Sequence, residues 1–335
     1  IMDLVDALTI AGHVNSPVAL SESPLFRRKF SSVYDALVHG ELSEALKGLL
    51  SDSQDTNWET IGGYEVHAVD ATPNERMTAE TLADRGVLKA QQKEPVRYGH
   101  KSSWLVRLVQ GGTSWVAPED IERISTTTTD TKVAAQQVKD LAVRNQRPKV
   151  ITADSRYRDK HFLGALADLE NTFALVRLQN NQKLSQEPAP KPKGRRGAPR
   201  KHGADFQLSA IEHLFRFLKQ HMGLNSNRSS NLESLQRWMW IVALAYWQLL
   251  LMRETVKPNR PAWHPHQKNG QVKPLTPSQV QRSAQAFLLQ SGTPAASTRP
   301  AGKGRGRPMG FLPTARMRFD VVFKTKKPQH QPKTC

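Results

Sequence analysis

The chain has a single cysteine among its 335 residues, Cys335, so it can form neither an internal disulfide framework nor a cysteine zinc site. That usage fits a reducing cytosol. Long apolar runs are also missing. The longest, Met239 to Met252, is interrupted by Gln248 and is too short to cross a bilayer, so it reads as a buried helix. No signal-peptide pattern opens the chain, which starts Ile1-Met2 and leaves Met2 as a candidate start. No internal repeat of useful period is present. Acidic residues are scarce in two segments: residues 188–202 hold six Lys/Arg and no acid, and residues 256–335 hold 15 Lys/Arg against Asp320 alone.

Those two segments account for the whole net charge of +18, and the remainder is slightly acidic. Both are rich in Pro and Gly, the composition of arms that lie along a partner. A polyanion is the partner such charge selects, and nucleic acid is the commonest. Arg195, Arg196, Arg200 and Lys201 in the first arm are candidate DNA contacts.

Residues 1–60 read as a helical N-terminal region, with apolar positions at Leu4, Val5 and Leu8, and again at Val33 and Leu37, and with Ser31-Ser32 and Ser43 as candidate caps. From residue 61 the pattern turns to strands. Val66 to Val69 leads into Asp70 and then a break at Ala71-Thr72-Pro73, while Ser102 to Val109 is closed by Gln110-Gly111-Gly112 before a further strand at Ser114. Helices are expected over Asp130–Asn145 and Asp159–Leu169, the second with Phe162, Leu163, Leu166 and Leu169 inward, with strands Lys149–Asp154 and Thr172–Leu178 between and after them. Antiparallel strands followed by alternating β and α units predict an α/β fold, a mixed sheet flanked by helices. Residues 61–255 would form this domain, interrupted by the arm at 180–208. A long Trp-rich helix is expected over 231–256, and residues 256–335 would be a basic, largely irregular tail with one short helix near Ser278–Leu289.

Three acids stand out. Asp70 and Asp154 each end an apolar strand, and Glu212 lies on a helix whose wheel groups it with Arg216, Lys219 and Gln220, opposite Ile211, Leu214, Phe215 and Leu218. Carboxylates at strand ends converge where α/β folds bind ligands. An all-oxygen set suits Mg²⁺, and two such ions activate the attacking oxygen and steady the leaving oxygen in phosphoryl displacement. Arg156 and Arg158, just after Asp154, and Lys219 and Arg216 are placed to meet a phosphate backbone. His100 and His213 are nearby but read as structural, and His264-Pro265-His266 reads as chance.

Three segments carry a resemblance: Val66-His67-Ala68-Val69-Asp70-Ala71-Thr72-Pro73, Val150-Ile151-Thr152-Ala153-Asp154-Ser155-Arg156-Tyr157, and Ile211-Glu212-His213-Leu214-Phe215-Arg216-Phe217-Leu218-Lys219-Gln220. They resemble the catalytic blocks of bacterial insertion-sequence DDE transposases, as do Pro24 to Asp35, Thr81 to Gly86, and Arg237 to Trp240 with Ala245-Tyr246. The resemblance implies a ribonuclease H-like catalytic domain with Asp70, Asp154 and Glu212 as metal-holding catalytic residues. It further implies Mg²⁺ (Mn²⁺ substituting), cleavage of double-stranded DNA at element ends and joining to target DNA. A homodimer in the DNA complex, no membrane, and a bacterial cytoplasmic location with nucleoid association also follow from it. One departure marks this chain. The related transposases carry a Tyr seven residues and an Arg four residues before the glutamate, where this chain has Asp205 and Leu208, whereas Lys219 matches their lysine seven residues after it. A shortened region before Ile211 keeps open the alternative of an impaired transposase that only binds DNA. A ribonuclease H-like nuclease acting on RNA hybrids or junctions is a third reading.

Overall fold

The structure is a computed structural model; it describes residues 1–42, 58, 60–88, 96–109, 114–177, 209–257, 274–292 and a few positions between 309 and 319. Ser43, Arg195, Arg196, Arg200 and Lys201, the region before the Glu212 helix, and most of the basic tail lie outside the described residues.

One mixed sheet organises the molecule. Its strands are β1 (Thr60–Ile61), β2 (Tyr64–Glu75), β3 (Gly86–Leu88), β4 (Arg97–Leu108), β5 (Val116–Ile124), β6 (Lys149–Ala153) and β7 (Thr172–Val176). The order across the sheet is β5 or β3 beside β4, then β2, β6 and β7. β2 runs antiparallel to β4 and parallel to β6, and β6 is parallel to β7. Three antiparallel strands extended by two parallel ones through helical crossovers is the ribonuclease H-like arrangement.

Local sequence explains the joints. Gly62 and Gly63 both have positive φ (62° and 87°), as a two-residue primed hairpin turn needs, and they link Ile61 to Tyr64. Between Leu105 and Val106 the register of β4 against β5 slips, passing Asp120 to Pro118 and leaving Glu119 as a bulge residue.

Helices cover both faces: α1 (Met2–Ile10), α2 (Ser31–His39), α3 (Asp130–Arg144), α4 (Lys160–Ala167), α5 (Ser209–Gln220), α6 (Leu232–Met252) and α7 (Pro277–Ser291). Thr129 caps α3 by accepting from the Lys132 N–H, and Asp159 caps α4 by accepting from the Phe162 N–H. Helices α3 and α4 pack on one face through Ala134, Val138, Leu141, Phe162 and Leu166 against Val69, Leu105, Ile151 and Ala153. The other face meets a larger core in which α1, α2, α5, α6 and α7 share contacts with Trp104, Trp115 and Ile121. Helix α6 is its pillar and buries residues all round, including Trp238, Tyr246 and Trp247. The Trp247 indole donates to the Pro118 carbonyl at 2.7 Å and that of Trp238 to the Gly223 carbonyl at 2.9 Å. At the end of α5, Gly223 has φ +61°, and an added Cβ there would meet the Val14 carbonyl oxygen at 2.6 Å, so the reversal after α5 requires glycine.

Three sequence expectations need correction. β2 does not break after Asp70 but continues through Pro73 to Glu75. β6 pairs with β2 only up to Val69, so the later half of β2 has a free edge, where a residue without an N–H is tolerated. Leu163, expected to face inward, is 37% exposed because α4 ends at Ala167 and turns only Phe162 and Leu166 to the sheet. Ser31 and Ser32 do not cap α2, whose N-cap is Phe30 with no side-chain bond.

Candidate active site

Strand register builds the site. Val69 pairs with Ala153 across the parallel β2–β6 ladder, so the next residues, Asp70 and Asp154, stand side by side at its end. Adjacent strands are about 4.8 Å apart. Alternation fixes their direction: Val69 and Ala153 face the α3/α4 core, so Asp70 and Asp154 face the side covered by α5. Glu212 stands in the first turn of α5, exposed, on the helix that packs over β2 and β5.

Asp154 and Glu212 both act on the charge of Asp70. The Asp70 carboxyl is pushed up to about 6: burial is the main cause, and the charges of Asp154 and Glu212 add to it, against the Ala71 N–H and Arg156. That N–H donates to Asp70 Oδ1 at 2.7 Å. Asp154 accepts from the Arg156 N–H at 2.8 Å and so caps the short 3₁₀ turn Ser155–Tyr157.

Around the pair lies a shell that spacing did not reveal. Asp130, read from sequence only as a helix start, is buried and accepts from Arg156 Nη1 at 3.1 Å and from Lys101 Nζ at 3.4 Å. Tyr157 is fully buried, and its phenol is held well above its usual value by burial first, then by Asp70, Asp130 and Asp154. A charged residue opening a capped helix looks the same in sequence wherever the helix docks, which is why Asp130 carried no signal.

The expected DNA contacts separate. Lys219 is half-buried on α5: burial lowers its ammonium value, and the charges of Asp70 and Glu75 oppose this. Arg156 is at the site but is engaged by Asp130. Arg216, grouped with Lys219 on the wheel, lines a 180 Å³ cavity with His213, Gln220, His221 and Tyr246. The wheel treated 60° of helix surface as one face, and the docking of α5 divides it. His100 is structural, as expected, with Nε2 3.0 Å from the Ala83 carbonyl.

All-oxygen donors suit a hard divalent cation. Asp70 and Asp154 fit as the pair that would hold it, with Glu212 as the third donor. Among the described residues, however, no three His, Cys, Asp or Glu side chains are close enough to grip one ion together. The acids share a face without forming a closed cage.

No described helix is long and apolar enough to cross a membrane. None of the curated proteins matches this sequence. Among solved structures, the chain is similar to the piggyBac transposase in a synaptic complex with hairpin DNA (13% identity, TM-score 0.35, 69% of this chain and 53% of that one). It is also similar to the Mos1 strand transfer complex (15%, 0.31, 68% and 67%) and to the simian T-cell lymphotropic virus intasome bound to PP2A regulatory subunit B56 gamma (10%, 0.29, 79% and 78%). This chain thus spans about half the length of the first of these. Residues 3–222, well over half of the chain and including Asp70, Asp154 and Glu212, match the family model described as DDE superfamily endonuclease. The chain belongs to the DDE superfamily endonuclease family.

Proposed function

We propose that this endonuclease acts as a DNA transposase, cutting phosphodiesters at element ends and transferring the freed strand to target DNA. The observation that carries the reading is the neighbouring pair Asp70 and Asp154 on the sheet face under α5, with Glu212 acting electrostatically on Asp70. Mg²⁺ or Mn²⁺, when bound, would supply Lewis acidity to the attacking and leaving oxygens. Asp70 must be ionised to bind a cation, and its raised value makes that step cost more below neutral pH. Lys219, beside Asp70 and Glu75, is placed to neutralise a phosphate next to the scissile one. Arg156 steadies Asp130 and Asp154 and so orients the second strand end. A homodimer on the DNA, a bacterial cytoplasmic setting, and a DNA-gripping role for the arm at Arg195, Arg196, Arg200 and Lys201 belong to the same proposal, as does the division into residues 1–60, 61–255 and 256–335.

The test is nicking of duplex DNA bearing the element ends, taken from the flanks of the coding region. Wild type is expected to nick with Mg²⁺ or Mn²⁺, and Asp154→Asn to lose nicking by at least 10³-fold, on the order expected for removing a metal-holding group. Wild-type nicking by Asp154→Asn would refute the assignment. A second reading is a DNA-binding remnant that no longer cuts. It is favoured by Asp205 and Leu208 at the expected Tyr and Arg positions, and by the lack of a three-acid ion cage among the described residues. Salt-dependent DNA binding without nicking by wild type would support it.

A further inference from the structure

Two cavities meet at the turn after α5, lined by shared residues. One, of about 520 Å³, lies between Glu75–Thr81 and the turn after α5, and Thr78, Thr81 and Asn225 contribute to its wall. The other, of about 610 Å³, lies between that turn and the N-terminal helices, with Tyr34, Ser16 and Asn231 in its wall. Arg228, Ser230 and Arg316 line both.

The charges there are not balanced among the described residues. Arg228 is exposed, and its guanidinium has no hydrogen-bond or ion-pair partner among the described residues. Arg316 is also exposed and donates only to the Ser230 hydroxyl, at 3.1 Å. Arg76 at the base is spent on the Asn227 and Arg228 carbonyls, at 2.9 and 2.6 Å, which fixes the turn rather than offering a contact. The acids at the rim are already neutralised: Glu75 by Arg97 at 2.6 Å and Glu80 by Arg318 at 3.3 Å. The Ser226 hydroxyl, in the wall of the larger cavity, is buried without a partner. Arg316 is held over the junction by the tail, because the Phe319 N–H donates to the Glu80 carbonyl at 2.7 Å. Two guanidiniums without a carboxylate partner among the described residues, with hydroxyls between them, suit an anion; forked donors favour phosphate oxygens.

A path joins this site to the carboxylates. β2 runs from Asp70 to Glu75, about 17 Å at 3.3–3.4 Å per residue, or roughly five base-pair steps of duplex. Lys219 lies on α5, which packs on β2, and the charges of both Asp70 and Glu75 act on it. We propose that the junction of Arg228, Ser230 and Arg316 is a phosphate subsite that grips the substrate DNA strand about five nucleotides from the cut, with the C-terminal segment supplying one of its two cations. The proposal rests on the nuclease reading for the identity of the strand, but its test does not require cutting.

The experiment measures anisotropy of a labelled 30-base-pair duplex bound to the full chain in EDTA, across a salt series. Loss of two phosphate contacts should lower the slope of log K against log salt by about 1.8. Arg228→Ala with Arg316→Ala is therefore expected to flatten the slope by that amount and to weaken binding at least tenfold at low salt. Unchanged far-ultraviolet dichroism and melting temperature would show that the fold is intact. Arg228→Lys should keep the slope and lose only part of the affinity. ATP and inorganic phosphate serve as competitors: displacement of DNA by neither at millimolar concentration is expected, and ATP binding that is lost in the double variant while DNA binding stays whole would overturn the proposal. A double variant with the wild-type slope and affinity would overturn it too. The assay contains no divalent ion and reads no cleavage, so failure of the catalytic assignment and failure of the subsite give different results.

Discussion

Trp104 lies directly across the β2–β4 ladder from Asp70, fully buried, with its ring edge-on to Phe215 of α5 at 5.7 Å. Directly opposed residues share a face, so the indole is the floor beneath the carboxyl. Its nitrogen has no acceptor among the described residues. The apolar floor is one source of the burial that raises Asp70. Trp104→Ala is expected to cost about 3–5 kcal/mol of stability as a large-to-small core change, read by urea unfolding. Trp104→Leu should retain more of that stability and let water reach Asp70, so its carboxyl, followed by carbon-13 NMR, should titrate below about 6.

Asp70 itself should be a burden on the empty fold at neutral pH. Its folded value, about 6, lies above the ordinary value of 3.8, so the folded state binds the proton more tightly than the unfolded chain. Stability is greatest below the unfolded value and falls as pH rises from about 4 to about 6, by on the order of 2 kcal/mol after allowance for solvent. Asp70→Asn removes this loss. The variant should melt several degrees above wild type at pH 7.5 and close to it at pH 4. Equal melting temperatures at pH 7.5 would show that Asp70 is not crowded by its neighbours.

A divalent cation should reverse the same loss. Mn²⁺ at millimolar concentration is expected to raise the wild-type melting temperature at pH 7.5, since a ligand of the folded state adds stability by mass action. The gain should shrink at pH 5, where Asp70 is mostly protonated, and vanish in Asp154→Asn. A gain of the same size in Asp154→Asn would place the ion elsewhere.

How much of this was legible beforehand differs from residue to residue. The helix over Asp130–Arg144 was readable because Thr129 and the 3.6-residue spacing of apolar positions agree. The strand ending at Ala153 was readable because five residues of apolar character lead to an aspartate that then caps its own turn. The extension of β2 through Pro73 was not, because proline signals a break unless the strand is known to be an edge there, and that depends on where β6 stops. Asp70 and Asp154 were found as chemistry-bearing residues, but their adjacency is a matter of register, which no local pattern encodes. Where Arg216 lies relative to Lys219 depends on how α5 docks, which a helical wheel cannot say.

Least legible was a buried charge network at the other end of β2. His67, fully buried, has Nδ1 2.8 Å from Glu119, the bulge residue, and Nε2 3.4 Å from Glu65. Glu65 also accepts from Arg107 at 2.9 Å and Asn145 at 2.8 Å, and the Arg107 guanidinium lies 4.4 Å over the Trp58 ring. Burial alone would raise Glu65, but the His67 hydrogen bond, the Arg107 charge and Asn145 outweigh it and hold the carboxyl at about 2. Burial opposes a charge on His67, yet Glu119 and then Glu65 raise its value above the ordinary 6.5. The two signs set a window. The Glu65 contribution is complete above about 4.5 and is lost as pH falls toward 2. That of His67 is complete below about 6.5 and is lost as pH rises through its higher folded value. Urea melts should therefore show greatest stability from this network between about pH 4.5 and 6.5. Glu119→Gln should narrow that advantage on the alkaline side, because it removes the charge that most favours protonated His67. His67→Leu leaves Glu65 and Glu119 buried with fewer donors, a broken-pair change expected to cost about 3–5 kcal/mol. Nicking per folded molecule should be unchanged in both variants, since the network lies at the opposite end of the β2–β6 ladder from Asp70. A flat pH profile in wild type, or an unchanged profile in Glu119→Gln, would mean that His67 is neutral in the folded protein.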